Sequence, residues 1–140
     1  MIDKLIEDLK RDEGFVEHVY QDHLGYWTLG YGFMVDERKG GRIPDPVAEY
    51  WLQYEIEDRI DALMERRPWI IDQPDDVQRA LVNMAYQMGA DGLMLFQRML
   101  NALQEGDRQE AAREALNSRW ATQTPERAKR VAALIRGTNE

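Results

Sequence analysis

Residues 11–32 read RDEGFVEHVYQDHLGYWTLGYG. Before and into this segment, apolar residues recur at helical spacing, which predicts a helix over residues 3–13 with Gly14 as its C-terminal stop. From Phe15 to Met34 the residues are mostly aromatic and β-branched and are punctuated by glycines, which predicts a small antiparallel sheet with tight turns. The segment therefore joins the end of a helix to a hairpin.

Three side chains of this segment, Glu13, Asp22 and Thr28, have the spacing of a glycosidase-like site. Hydrolysis of a glycosidic bond needs a protonated acid and a second carboxylate that activates water or attacks the sugar. The negative end of the helix dipole favours the neutral form of Glu13, whereas a nearby arginine would favour the charged form, so the net direction stays open. Each residue alone has a structural explanation, but together with the Gly-Tyr-Gly strand end, which lets a ligand approach the backbone, they favour catalysis.

Length and charge limit the class of protein. The chain has 140 residues, no cysteine and a net charge of −8, which suits one domain without a disulfide framework. Residues 1–76 hold 19 acidic and 9 basic residues, and residues 77–140 hold 7 and 9, so the charge changes from −10 to +2. This balance disfavours general binding to nucleic acid or to anionic membranes. A local basic cluster remains near the C-terminus: Arg119, Arg127, Lys129, Arg130 and Arg136.

The rest of the chain reads as helical. After a loop at Lys39–Arg42, further helices are predicted at about 46–64, 76–88, 93–104, 107–117 and 125–135, with Gly89 and Gly92 as breaks and Thr124 as the cap of the last helix. The predicted fold is α+β. It is a single domain with a sheet-containing lobe at 14–45, an all-helical lobe at 65–140 on which residues 1–13 pack, and helix 46–64 as the connection.

Three separated motifs, in order, carry a family resemblance. They are Arg11-Asp12-Glu13-Gly14 with Tyr20 to Gly32, then Asn83 to Gly89, then Ser118-Arg119-Trp120 to Val131. On these residues the sequence resembles the phage T4-type lysozymes, muramidases of glycoside hydrolase family 24, along nearly the whole chain. The resemblance implies that the α+β fold is lysozyme-like.

The resemblance implies roles for individual residues. Glu13 would be the general acid, and Asp22 and Thr28 would hold the attacking water, with inversion at the β-1,4 bond between N-acetylmuramic acid and N-acetylglucosamine. Arg127 would pair with the acid. The residues implied in substrate binding are Leu24, Tyr31, Met34, Tyr86, Gln87, Arg119 and Arg127.

The sequence departs from the T4 type at several places. Phe33 stands where that type has histidine, so apolar packing is expected to replace an ion pair and to affect stability more than chemistry. Leu24 stands at a position that carries an acidic residue in the T4 type. Its apolar side chain is therefore expected to remove an electrostatic contact with Arg119 across the cleft mouth. The chain is shorter between Met34 and Pro44, which affects the glycan subsites, and the acidic N-terminal lobe contrasts with the basic T4 enzyme.

The biological setting follows from the same resemblance. The expectation is a monomeric, cofactor-free phage or prophage endolysin that acts on peptidoglycan strands. No signal peptide or transmembrane segment is visible, so the protein would stay in the host cytoplasm until a holin gives access to the periplasm and the wall. The alternatives are a chitin- or chitosan-type glycosidase and an inactive wall-binding module.

Remaining residues are given structural roles. His18 and His23 are too few for a metal site, and His23 is expected to face solvent. Trp27 is a candidate for stacking on a sugar ring, whereas Trp51, Trp69 and Trp120 are expected in the core. The same packing role is expected for four methionines: Met84, Met88, Met94 and Met99.

Overall fold

The computed structural model of the protein describes residues 2–35 and 41–137. Within these residues the chain forms a three-stranded antiparallel sheet and seven α-helices, which confirms the predicted α+β class. The strands are β1 (Val16–Gln21), β2 (Trp27–Gly30) and β3 (Phe33–Met34). The helices are α1 (Ile2–Glu13), α2 (Asp45–Arg66), α3 (Asp75–Met94), α4 (Gln97–Gln104), α5 (Arg108–Leu116), α6 (Arg119–Gln123) and α7 (Pro125–Arg136). The predicted loop Lys39–Arg42 falls partly outside the described residues.

The chain divides into two compact units, an N-terminal unit, Met1–Trp51, and a C-terminal unit, Leu52–Glu140. The first contains the sheet, and the second contains α3 to α7. The division into lobes at 14–45 and 65–140, with residues 1–13 packed on the helical lobe, stays a prediction.

The N-terminal unit places a helix end beside a hairpin. α1 ends at Glu13 because Gly14 adopts φ +71°, a left-handed conformation that glycine accepts without strain. β2 is the central strand of the sheet, in which Thr28 pairs with Tyr20 on β1 and with Met34 on β3. The helix stop and the hairpin predicted from the sequence are both confirmed.

The C-terminal unit carries the large apolar core. Within it α5 packs on α4 and α7, and α3 packs on α7. The largest fully buried side chains are Leu63, Ile70, Leu81, Met84, Leu93, Met99, Leu103 and Ile135. The packing role predicted for the four methionines is confirmed, because Met84, Met94 and Met99 belong to this core and Met88 packs against it.

α3 is interrupted at one of the two predicted glycines. Gly89 has φ 80° and ψ 164°, which is not helical, so the predicted break there is confirmed. Gly92 does not break the helix, which continues to Met94. The helix predicted over 93–104 consequently starts only at Gln97, after a non-helical Phe96. The short helix α6 is absent from the sequence-based prediction, since five residues are too few to show a helical period.

Two further predictions about single residues differ from the structure, the first of them only in part. Thr124 occupies the N-cap position of α7 and Pro125 its first turn, as predicted, but the Thr124 hydroxyl makes no capping hydrogen bond and donates to the carbonyl of Trp120 at 3.1 Å, one turn back. Trp51 is 48% exposed instead of buried, because it lies in the N-terminal turns of α2 at the edge of an open apolar cleft. Trp120 is buried and Trp69 packs against the core, as predicted.

One ion pair ties the beginning of α3 to α5 and to the end of α7. Nη2 of Arg108 lies 2.8 Å from Oδ2 of Asp76, and the same guanidinium donates to the carbonyls of Ile135 and Leu134 at 2.8 and 3.0 Å. Asp76 and Arg108 are only 22% and 30% exposed. The hydrogen bond from Arg108 holds the pKa of Asp76 below its ordinary value, against a smaller opposing effect of burial.

Asp76→Asn is therefore expected to lower the free energy of unfolding at neutral pH by about 1–3 kcal/mol. A carboxylate whose pKa is lowered by folding stabilises the protein above its unfolded pKa of about 3.9, and this contribution is lost as the pH falls through the folded value. Urea unfolding at about pH 7 and about pH 2.5 should show a larger difference from wild type at the higher pH. Asp75→Asn, at an exposed position of the same helix start, controls for the helix dipole. An equal destabilisation at both pH values would contradict the assignment.

Candidate active site

The carboxyl group of Glu13 lies against the backbone of Gly32. A Cβ atom added to Gly32 would be 2.6 Å from Oε2 and 3.2 Å from Cδ of Glu13. Gly32 also has φ +74°, which favours glycine. From the sequence, the Gly-Tyr-Gly strand end is expected to let a ligand approach the backbone. At Gly32 the structure instead places the carboxyl group of Glu13, the proposed acid, in that space. A side chain at position 32 would therefore collide with the Glu13 carboxyl group where it now lies.

Asp22 is anchored at the turn between β1 and β2. Its Oδ1 accepts hydrogen bonds from the backbone N–H groups of Leu24 and Tyr26, both at 2.9 Å. The bond from Tyr26 is the largest cause that holds the pKa of Asp22 below its ordinary value. Asp22 is therefore ionised at neutral pH and fixed by main chain, which suits a group that accepts a hydrogen bond from water.

Thr28 is a buried polar side chain of the N-terminal unit, with 5% exposure. Its hydroxyl donates to the carbonyl of Tyr26 at 3.1 Å, so the lone pairs of the oxygen stay available as acceptors. Thr28 pairs with Tyr20 on β1, and Asp22 follows the end of β1 by one residue. The two residues predicted to act on one water thus lie close to the same turn of the hairpin, Asp22 in the turn and Thr28 on β2.

The other proposed binding residues of this unit surround the hairpin. Leu24 is exposed at the turn, where its backbone, rather than its side chain, contacts Asp22. Tyr31 packs against Phe15 and Phe33 in the turn that leads to β3.

Met34 lines an apolar cleft of about 870 Å³ together with Trp27 and Trp51. Of these residues, Trp27 is half-buried on β2, and its predicted stacking on sugar stays a prediction.

Gln87 and Arg119 line one cleft in the C-terminal unit. This cleft has a volume of about 720 Å³, and its wall also contains Arg98 and Glu114. Oε1 of Gln87 accepts a hydrogen bond from the indole N–H of Trp120 at 2.8 Å, which fixes the amide with its NH₂ group turned away from the indole. Gln87 is therefore held as a hydrogen-bond donor toward any ligand in the cleft.

Tyr86 and Arg127 line a different cleft of the same unit, with a volume of about 570 Å³. The guanidinium of Arg127 donates to the side-chain and backbone oxygens of Asn83 at 2.9 and 3.2 Å. Arg59 lies over the ring of Tyr86 at 5.2 Å. The four binding residues predicted in this unit are thus divided between two clefts, and the pairing of Arg127 with the acid stays a prediction.

Three residues beside these sites escaped prediction as site residues. Asn83 anchors Arg127, and Arg98 and Glu114 line the cleft of Gln87 and Arg119. Asn83 stands 44 positions before its partner, and no periodic pattern links residues that far apart. In the sequence, Arg98 and Glu114 look like ordinary solvent-exposed residues of helices. A charged residue on a helix face gives no indication that the residue lines a cleft.

The fold and the residue set define a class of protein. A carboxyl group at a helix end and a second carboxylate on a hairpin, in a small α+β protein, are the chemical groups of a glycoside hydrolase. A sequence model of the phage lysozyme family matches residues 10–139. The chain belongs to this family and is a lysozyme-type glycoside hydrolase.

Individual relatives agree with this assignment. The chain is 27% identical to probable T4-type lysozyme 1 of Dictyostelium discoideum over 162 residues, covering 96% of this chain and 95% of the relative. Probable T4-type lysozyme 2 of the same organism is 26% identical with the same coverage. The chain is also 31% identical to the pre-baseplate central spike protein Gp5 of Enterobacteria phage T4, covering 94% of this chain and 27% of that protein.

Proposed function

We propose that this lysozyme is an endolysin that hydrolyses the β-1,4 bond between N-acetylmuramic acid and N-acetylglucosamine in peptidoglycan, with inversion. The observation that carries the proposal is the anchored Asp22 carboxylate on the same hairpin as the buried Thr28 hydroxyl. Glu13, at the end of α1 in the same unit, supplies the second carboxyl group. An inverting enzyme needs this set: one acid, one base, and room for a water molecule.

In the proposed mechanism a water molecule donates one hydrogen bond to the Asp22 carboxylate and one to the Thr28 oxygen. Its free lone pair then points at the anomeric carbon, because both of its protons are held by the protein. Glu13 transfers its proton to the glycosidic oxygen as the bond to the leaving sugar breaks, and Asp22 takes a proton from the attacking water. The oxygen of the water becomes the new anomeric hydroxyl of the product, on the face of the ring opposite to the one that the leaving group occupied.

Substrate positioning is assigned to the residues named from the sequence. Gln87 and Arg119 would donate hydrogen bonds to glycan or peptide oxygens, since the Gln87 amide is already oriented by Trp120. Tyr86 and Arg127, in the neighbouring cleft of the same unit, would extend the binding surface. Arg127 would in addition pair with the acid. Leu24, Tyr31 and Met34 would contact the glycan from the hairpin.

The proposed setting is host cell lysis by a monomer that needs no cofactor and binds neither nucleic acid nor membrane stably. Among residues 2–35 and 41–137, no helix has the length and apolar character needed to cross a membrane. In this setting the enzyme reaches the wall from the host cytoplasm when a holin opens the inner membrane. The phage connection is supported by the similarity to Gp5 of phage T4.

The test is hydrolysis of two polymers in parallel. Purified Gram-negative peptidoglycan and chitin oligosaccharides are incubated with the wild-type protein, and new reducing ends are counted. Release from peptidoglycan alone, with the initial product as the α-anomer by proton NMR, is the expected result. Release from chitin alone would favour the chitin-type glycosidase, and release from neither by folded protein would favour an inactive wall-binding module.

A further inference from the structure

We propose that three aromatic residues, Phe15, Tyr31 and Phe33, form a brace that positions Glu13 for proton transfer. The inference rests on the proposed role of Glu13 as general acid and adds positioning residues to it. The ring centroids of Phe15 and Tyr31 are 5.5 Å apart at an interplanar angle of 43°, and those of Tyr31 and Phe33 are 6.3 Å apart at 76°. Both distances lie in the range of favourable aromatic pairs.

The ring of Tyr31 contacts two residues that lie before and after Glu13 in the sequence, Lys10 and Phe15. Phe15 follows Glu13 by two residues, and Lys10 precedes it by three. Nζ of Lys10 lies 5.9 Å from the centroid of the Tyr31 ring, within reach of a cation–π contact. The ring of Tyr31 therefore contacts two residues that flank the acid in the chain, Lys10 before it and Phe15 after it.

The same brace fixes the turn on which the acid rests. The ring of Phe33 lies on Gly30, because a Cβ atom added there would be 2.7 Å from Cδ2 and 2.9 Å from Cε2 of Phe33. Gly32, on the other side of Tyr31, carries the Glu13 carboxyl. Gly30 and Gly32 both have positive φ, and a turn of this kind keeps its shape through the packing around it.

Among the described residues, no hydrogen bond or ion pair holds the Glu13 carboxylate, which is exposed at the helix end. Its position therefore depends on packing. The brace joins Phe15, two residues after the end of α1, to the turn that contains Gly32, and Lys10 adds a contact from α1 itself to the ring of Tyr31. A proton donor misplaced by about 1 Å can lose about a hundredfold in rate, so a small loosening of the brace should be visible in kcat. Phe33 thus acts on chemistry as well as on stability, whereas the sequence led us to expect an effect on stability more than on chemistry.

The test separates proton donation from general damage by changing the leaving group. One substrate is a soluble glycan fragment of peptidoglycan with its natural sugar leaving group, and the other carries a 4-nitrophenyl group at the cleaved position. Nitrophenolate departs without protonation, so a misplaced acid should matter only for the natural substrate. Phe33→Leu and Phe15→Leu act on opposite sides of Tyr31, so that one variant remains informative if the other does not fold.

For each variant we expect kcat on the natural glycan to fall about tenfold, with the rate on the nitrophenyl glycoside within about twofold of wild type. Phe33→Tyr, which keeps the ring, should restore kcat, and Tyr50→Leu, at an exposed position of α2, should change neither rate. Equal losses on both substrates, or no loss on either, would overturn the brace. Glu13→Gln is measured alongside: if it does not discriminate between the two substrates, the proposed function fails instead.

Discussion

Glu13→Gln is expected to fold as the wild type does and to lose activity on peptidoglycan by about 10²–10⁴-fold. The amide has the same shape as the carboxyl group but has no proton to give to the leaving oxygen. Because Glu13 is exposed at the end of α1, the change removes no buried contact, and the thermal unfolding midpoint should hardly move. The measurement is release of reducing ends from purified peptidoglycan, with thermal unfolding followed in parallel.

The matched control for this variant is Glu17→Gln. Glu17 is an exposed glutamate on β1, four residues further along the chain, so the substitution makes the same change in charge and shape. Wild-type activity is expected for it. If both variants lose activity equally, the effect is one of charge in the N-terminal unit. Full activity of Glu13→Gln would remove Glu13 from the proposed mechanism.

Gly32→Ala is expected to lower activity by about 10–100-fold while costing only about 1–2 kcal/mol in stability. The new Cβ would stand 2.6 Å from Oε2 of Glu13, so one of the two must move. The flexible glutamate side chain moves more easily than the backbone, and the displaced group is the proposed acid. The stability cost comes mainly from φ +74°, a left-handed conformation that alanine adopts only with strain.

The control for this strain is Gly106→Ala. Gly106 has φ +85° and no heavy atom within 4 Å of an added Cβ, so alanine there meets the same backbone penalty without a clash. Activity per folded molecule should be that of wild type for Gly106→Ala and strongly reduced for Gly32→Ala. Equal activity of the two variants would show that the Gly32 contact does not position Glu13.

The two predictions concern Glu13 and Gly32. The sequence predicts the position of Glu13 at the end of α1, but it does not predict which group lies against Gly32. The end of α1 follows from local chemistry, since an amphipathic run is followed by Gly14, and the structure ends the helix at Glu13. The hairpin with Asp22 at its turn follows in the same way from glycine spacing and β propensity. The role of Gly32 required the tertiary structure. A sequence shows that a glycine permits close approach of another group, but it does not show which group approaches.

The sequence by itself determined the local elements, the three chemical groups of the catalytic proposal and, through its motifs, the lysozyme family. Helix stops, turns and strand propensities act over a few residues, so they can be read along the chain. Only the tertiary structure decided the long-range partners: Trp120 for Gln87, Asn83 for Arg127, and Arg108 for Asp76. These partners are 33, 44 and 32 positions apart, and packing of whole helices, which local pattern does not encode, brings them together.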